Sequence, residues 1–178
     1  LLSELAPTEV VFAGDVLHSF DRVPTAARET LTALERTVRE AGARLVVVRG
    51  NHDTMLDTLC SGTVHDEYEL TGVPGVGPDG DPGAVVVAHG HADPAGDADC
   101  YVVGHDHPTI TIEGRKWHCY LYGRGVYRGG DVLMLPAFSH LLEGVSVNRR
   151  SGTASLMSPL VADLTRFRPV VWDEDAAE

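Results

Sequence analysis

Four short apolar runs of the sequence are each followed by a group of polar residues that can bind metal ions. The runs and their groups are Val10–Ala13 with Gly14-Asp15, Arg44–Val48 with Gly50-Asn51-His52-Asp53, Ala84–Ala88 with His89-Gly90-His91, and Cys100–Val103 with Gly104-His105-Asp106-His107. Because apolar β-branched runs bounded by glycine are typical of buried strands, the pattern predicts four strands that each end in polar side chains. In open α/β sheets, ligands bind at the carboxyl ends of the strands. We therefore expect the four groups to converge on one site.

The spacing of apolar residues between these runs predicts the remaining organisation. Residues 24–41 carry an apolar stripe at helical spacing, so a helix joins the first two strands, which we expect to pair in parallel. A loop is expected over Thr71–Gly83. Further strands are expected at Thr109–Ile112, Lys116–Tyr122, Asp131–Leu135 and Val145–Val147, with an edge strand within Leu164–Trp172. The sequence predicts one domain over residues 1–178 of the α/β (α+β) class, with two layers of mixed sheet and helices outside.

The composition excludes several classes of protein. Acidic residues outnumber basic ones 26 to 14, for a net charge of -12, and no basic block suggests a nucleic-acid surface. This acidity does not exclude a phosphate-bearing substrate, because bound divalent metals can invert the local field. No apolar stretch approaches the roughly 20 residues that span a bilayer, and the first ten residues do not read as a secretory signal. We expect a soluble, cytoplasmic protein that does not bind a membrane.

The residue types in the four groups indicate a particular kind of metal. Imidazole nitrogens together with carboxylate and amide oxygens suit Mn, Fe, Co, Ni or Zn better than calcium. The 3 cysteines form no C-x-x-C pair, so neither a disulfide framework nor a thiolate zinc site is expected. His91 could point into the site, but a role supporting a metal ligand or a place in the loop is at least as well favoured. For Asp106 we expect exposure to solvent.

The ordered groups resemble the motifs of the calcineurin-like metallophosphoesterase superfamily. Gly50-Asn51-His52-Asp53 with Gly104-His105-Asp106-His107-Pro108 is the most specific pair, and Leu135-Pro136-Ala137-Phe138 supports it. The variant is similar to the SbcD-related archaeal phosphoesterase branch, and the resemblance covers nearly the whole chain. It implies a two-layer β-sandwich of mixed sheets flanked by helices.

The resemblance also implies a role for each site residue. Two divalent metal ions are implied, Mn first, with Fe, Ni, Co or Zn as alternatives. Asp15 would bridge the two metals; Asn51, His89 and His105 would complete one metal site, and His107 would bind the other metal. His52 would protonate the leaving oxygen, Asp53 would orient His52, and His18 would lie beside the substrate phosphate. Such a pair of metals activates a bridging hydroxide to attack phosphorus.

The sequence departs from the family pattern at its start. Members of the family carry a D-x-H motif on a strand that precedes the one ending at Asp15, and the first nine residues here contain neither aspartate nor histidine. One metal would then keep only Asp15 and His107 as protein ligands, and the sheet would lack its first strand. Together with the start at Leu1, this departure leads us to expect an N-terminally truncated domain.

The sequence leaves two classes of function open. The first is a hydrolase of phosphomonoesters or phosphodiesters, with a nucleotide, a nucleic acid or a small phosphoester as substrate. The alternative is a catalytically degenerate, metal-dependent binding or scaffold module that keeps the phosphoesterase fold. Nuclease-type relatives dimerise, which leaves a homodimer open, although no helical stripe stands out as an interface.

The tyrosines near residue 124 also allow two interpretations. Tyr120, Tyr122 and Tyr127, with Arg124 and Arg128, could stack on a base and hold a phosphate. We prefer a β-hairpin in which these aromatic residues form cross-strand pairs.

Overall fold

The computed structural model of the protein describes residues 2–16, 25–139, 142–148 and 156–172. The chain divides into two compact units, one formed by Leu1–Tyr68 with Val87–His89 and the other by Glu69–Val86 with Gly90–Glu178. This division does not test the expectation of a single domain, which stays a prediction.

The first unit is a β-α-β arrangement around a small parallel sheet. Its elements are α1 (Leu2–Leu5), β1 (Glu9–Ala13), α2 (Thr25–Glu40), β2 (Arg44–Val48), a 3-10 helix (Leu56–Thr58) and β3 (Val64–His65). The strand order is β1-β2-β3, and both pairings are parallel. The predicted helix and the predicted parallel pairing of the first two strands are therefore confirmed.

Apolar residues at the predicted spacing form the core of this unit. Leu31 and Val38 are the buried residues of α2. Leu31 clusters with Val47 of β2 and with Leu56, and Phe12 of β1 packs against them. The helix thus covers the sheet with its apolar stripe, as the sequence indicates.

The prediction that β1 is a buried strand is wrong. All five residues of β1 are half-buried, whereas Val46, Val47 and Val48 of β2 are at most 2% exposed. The reason is position, because among the described strands β1 lies at the end of the order β1-β2-β3 and β2 lies in its middle. Apolar composition alone does not distinguish an edge strand from a central one.

The second unit contains most of the strands. They are β4 (Glu67–Val73), β5 (Gly83–Ala88), β6 (Cys100–Val103), β7 (Pro108–Ile112), β8 (Arg115–His118), β9 (Tyr120–Tyr127), β10 (Gly130–Met134), β11 (Val145–Ser146) and β12 (Phe167–Val170). Two 3-10 helices, Pro78–Gly80 and Leu164–Arg166, lie between them. The first two residues of β4 and the last two of β5 are assigned to the first unit.

These strands form mixed sheets. One sheet has the order β12-β9-β10-β6-β5-β4, in which β10 pairs in parallel with β6 and antiparallel with β9. A smaller sheet has the order β11-β7-β8, with one parallel and one antiparallel pairing. The α/β class with mixed sheets is confirmed, and β12 lies at a sheet edge as predicted.

Two strand boundaries differ from the prediction. The expected loop over Thr71–Gly83 begins later, because β4 continues to Val73. The expected single strand Lys116–Tyr122 is two strands, β8 and β9, separated at Cys119, whose N–H donates to the carbonyl of Pro108. Strand β4 is partly exposed and polar, so its sequence shows little of the apolar–polar alternation that predicts a strand. The break between β8 and β9 falls at a single buried residue, and no turn residue there indicates it.

Two tyrosines of β9, Tyr122 and Tyr127, make contacts within the second unit, whereas Tyr120 is exposed. The Tyr127 hydroxyl donates to Asp93, 2.7 Å away, and its ring meets the Tyr101 ring edge-on with centroids 5.0 Å apart. The Tyr122 hydroxyl bonds to Asp131 at the start of β10. The predicted hairpin is present, because β9 pairs in antiparallel with β10. The predicted aromatic cross-strand pairs are absent from the described strands, because the register partners of Tyr120 and Tyr122 are not aromatic.

Candidate metal centre

The loops that follow β1 and β2 lie side by side at the carboxyl ends of these parallel strands. Ala13 and Val48, the last residues of the two strands, are register partners. Asp15 and Gly50, two residues further along each chain segment, are therefore neighbours. A Cβ at position 50 would collide with the backbone nitrogen and the carboxylate of Asp15. Only glycine allows the second loop to approach Asp15 this closely.

His89 brings an imidazole to the same place. It directly follows β5 and is 2% exposed. Its Nε2 lies 3.4 Å from Oδ2 of Asp15 and 3.0 Å from Oδ1 of Asn51. Asp15, Asn51 and His89, all residues of the first unit, thus form one polar cluster.

The other ring nitrogen of His89, Nδ1, determines the tautomer and the orientation of the imidazole. Nδ1 lies 3.0 Å from the carbonyl oxygen of Ala13, which can only accept a hydrogen bond. Nδ1 therefore carries a proton, and Nε2 is the nitrogen that faces the Asp15 carboxylate and the Asn51 amide. Fixing the tautomer through the second nitrogen is how proteins orient metal-binding histidines.

The Asp15–His89 pair is electrostatically coupled. Burial acts to raise the pKa of Asp15, but the hydrogen bond and charge of His89 and the N–H of His52 outweigh it and lower the pKa to about 2. Burial likewise acts to lower the pKa of His89, but the Asp15 carboxylate and the Ala13 carbonyl hold it above its ordinary value. Without a metal, the buried cluster thus favours an anionic Asp15 and a protonated His89.

Asp53 holds the two loops together. It is fully buried, and its Oδ2 accepts the N–H groups of Val16 and Gly50, each at 3.1 Å. The N–H of His52 donates to Oδ1 of Asp15 at 3.1 Å. The first contact of Asp53 crosses from one loop to the other, and sequence reasoning missed it. The usable signal was the Gly50–Asp53 spacing, which suits a side chain that turns back to a nearby backbone N–H.

The structure thus brings together Asp15, Asn51, His52, Asp53 and His89, the predicted site residues of the first unit. His105 and His107 belong to the second unit, in the loop that follows β6, and both are half-buried. There the rings of His91 and His105 are tilted neighbours with centroids 6.1 Å apart, and His91 is exposed. His18 lies outside the described residues.

The expectation that Asp106 faces solvent is wrong. Asp106 is 3% exposed, and its carboxylate accepts the N–H groups of Met157 and Ser158. A carboxylate with two backbone donors can be buried, because the hydrogen bonds offset its desolvation. Alternation along a loop does not reveal such a distant partner.

The donor set of the first unit fits a divalent cation. Nε2 of His89 faces two oxygen atoms, one from a carboxylate and one from an amide, and a cation between them would satisfy all three atoms. Burial raises the pKa of Cys60 and Cys100 and, to about 11, that of Cys119, so the protonated thiol is the favoured form of each cysteine. This chemistry agrees with the borderline metals that the sequence indicates.

Comparisons with known proteins add no identification, because no family model and no curated protein matches the sequence. Among the described residues, no helix is both long enough and apolar enough to cross a membrane.

Proposed function

We propose that the protein is a metal-dependent phosphoesterase that hydrolyses phosphomonoesters or phosphodiesters. The observation that carries the proposal is the cluster of Asp15, Asn51 and His89, in which an oriented imidazole nitrogen faces one carboxylate oxygen and one amide oxygen. In the metal-free protein a proton on Nε2 of His89 can join the same atoms, and a divalent cation would take the place of that proton. The proposed fold is the metallophosphoesterase sandwich that the motifs imply.

The proposed ligand set extends beyond this cluster. Asp15 would bridge two divalent ions, preferably Mn²⁺, and Asn51 and His89 would bind one of them. The resemblance of the sequence motifs assigns His105 to the same ion and His107 to the other. When bound, the metals would supply a water of lowered pKa and neutralise the charge on the phosphoryl group.

His52 is the proposed proton donor. Its backbone N–H donates a hydrogen bond to Oδ1 of Asp15, so His52 lies next to the carboxylate that would bridge the metals. An imidazole at this point can give a proton to the leaving oxygen. Asp53 would orient His52, and its two backbone contacts would keep both loops in register while it does so.

The proposed substrate is a phosphoester whose negatively charged phosphoryl group would bind to the metal ions. The net charge of -12 disfavours a long polyanion bound through protein cations, so a nucleotide, a small phosphoester or a short single strand is preferred. A salt titration separates these cases, since a polyphosphate ligand gives a steep slope and a mononucleotide a shallow one.

The direct test is metal binding by matched histidine variants. We would strip the protein with a chelator, add Mn²⁺, and measure bound manganese in wild type, His89→Ala and His65→Ala. His65 is the control, because it is a half-buried histidine of the same unit whose ring lies tilted against that of Tyr68. Loss of binding in His89→Ala alone supports the proposal. Equal binding in all three proteins contradicts the ligand set, and binding without any phosphoester turnover would favour the degenerate binding module.

A further inference from the structure

The buried carboxylate of Asp106 joins two segments of the second unit that are far apart in sequence. Its Oδ1 accepts the N–H of Met157 at 2.7 Å, and its Oδ2 accepts the N–H of Ser158 at 3.0 Å. Both carboxylate oxygens therefore face the backbone of the later segment. Asp106 stands between His105 and His107 in sequence, so this bond fixes the middle of the loop that carries both imidazoles.

The segment that receives Asp106 is itself well anchored. Leu156, Ser158 and Leu160 are all at most 7% exposed. The carbonyl of Ser158 accepts the N–H of Val161, so the chain turns immediately after the two donors. Asp106 is thus held by a buried turn, and charge-assisted bonds to such a turn are among the stronger hydrogen bonds in proteins.

A second contact fixes the other end of the histidine loop. His107 has a left-handed backbone with φ 49°, and its carbonyl accepts the N–H of Val145 at 3.0 Å. Gly144 precedes that donor with φ 62°, and a Cβ there would collide with the His107 carbonyl. Glycine at this position lets the backbone reach the loop. The loop is therefore tied at Asp106 and at His107.

We propose that Asp106 is a positioning residue that holds His105 and His107 in the orientations needed to bind metal, and this inference rests on the proposed function. The carboxylate acts through the N–H groups of Met157 and Ser158 and does not itself ligate. Partners that hydrogen-bond directly to metal ligands change metal affinity about 10–100-fold when they are removed, and we expect an effect of the same order for Asp106. The sequence motif alone identifies His105 and His107 as candidate ligands and does not indicate that the aspartate between them positions both.

The test compares Asp106→Asn with the control Asp163→Asn. Asp163 is also an aspartate of the second unit that accepts a backbone N–H, from Thr165, but it is exposed and lies in another loop. Mn²⁺ affinity is measured by titration, and the ring nitrogen resonances of His105 and His107 are recorded in the metal-free protein. We expect Asp106→Asn to weaken Mn²⁺ binding about 10–100-fold and to shift both ring signals, and Asp163→Asn to do neither.

The outcomes separate this inference from the proposed function. If wild type binds no Mn²⁺, the proposed function fails, and the ring signals of the metal-free protein still report whether Asp106 positions the histidines. Unchanged ring signals and unchanged affinity in Asp106→Asn overturn the inference. If that variant does not fold, hydrogen exchange in wild type decides: the amides of Met157 and Ser158 should be protected, and exchange at the unprotected rate overturns it.

Discussion

The Nε2 atom of His89 lies 3.4 Å from Oδ2 of Asp15, and both side chains are almost completely shielded from water. A buried carboxylate beside a buried imidazole is stable when the imidazole is protonated or when a metal ion lies between them. The two alternatives differ in their response to pH and to metal. That difference makes the cluster testable.

The metal-free protein should lose stability as pH rises above 6.5. The pKa of His89 is raised above 6.5 in the folded state, so its contribution is complete below 6.5 and is lost as pH rises through the folded value. The pKa of Asp15 is lowered from 3.8 to about 2, so its contribution is present above 3.8 and is lost as pH falls through about 2. Unfolding is measured in chelator across this range. Asp15→Asn should flatten the decline above pH 6.5, and an unchanged profile would contradict the coupling.

Removing the Asp53 carboxylate should destabilise the first unit. Asp53→Ala leaves the N–H groups of Val16 and Gly50 without their acceptor, and a buried donor left unsatisfied costs about 1–3 kcal/mol. Chemical denaturation measures the free energy of unfolding. The control is Asp57→Ala, which removes an exposed ion pair with Arg49 and should have little effect. Equal losses of unfolding free energy in the two variants would show that the buried Asp53 contacts stabilise the protein no more than the exposed Asp57–Arg49 pair does.

A methyl group at position 50 should disrupt the loop that carries Asn51 and His52. Gly50→Ala places a Cβ against Asp15, so one of the two loops must move, at a cost of about 1–3 kcal/mol. Gly62→Ala is the control, because a Cβ there meets its nearest atom at 3.8 Å. Manganese affinity and unfolding are measured for both variants. We expect both quantities to fall in Gly50→Ala only, and a Gly50→Ala protein like wild type would contradict the close approach.

The role of His52 predicts a dependence on the leaving group. A proton donor matters most when the leaving oxygen is basic, so His52→Ala should slow hydrolysis of phenyl phosphate about 10²–10⁴-fold. Hydrolysis of p-nitrophenyl phosphate, whose leaving phenolate needs no proton, should fall much less. The measurement is kcat for both esters in wild type and variant. Equal losses for the two esters would remove the proton-donor assignment and leave His52 a binding role.

Much of the first unit could be predicted from the sequence, because its signals are local. Helix α2 follows from its apolar stripe, and the parallel pairing of β1 with β2 follows from the helix between them. The meeting of Asp15 with Asn51 and His52 follows from that pairing. Local pattern could not reveal that β1 is half-buried, since edge position depends on which strands pair.

The supporting contacts of the site could not be predicted, because they join residues distant in sequence. Asp53 reaches Val16 across 37 positions, and Asp106 reaches Met157 across 51. Both aspartates lie next to candidate site residues in the sequence. From the sequence alone we expect Asp53 to orient His52 and Asp106 to face solvent. Only the fold shows that both carboxylates hold loops through backbone N–H groups.

Metal-dependent hydrolysis of simple phosphoesters is the sharpest test of the proposed function. The metal-stripped protein is given bis-p-nitrophenyl phosphate and p-nitrophenyl phosphate with and without Mn²⁺, beside Asp15→Asn as the matched variant. We predict turnover of at least one ester that requires Mn²⁺ and is lost in Asp15→Asn. Manganese binding without turnover of either ester, or turnover that Asp15→Asn retains in full, would contradict the account.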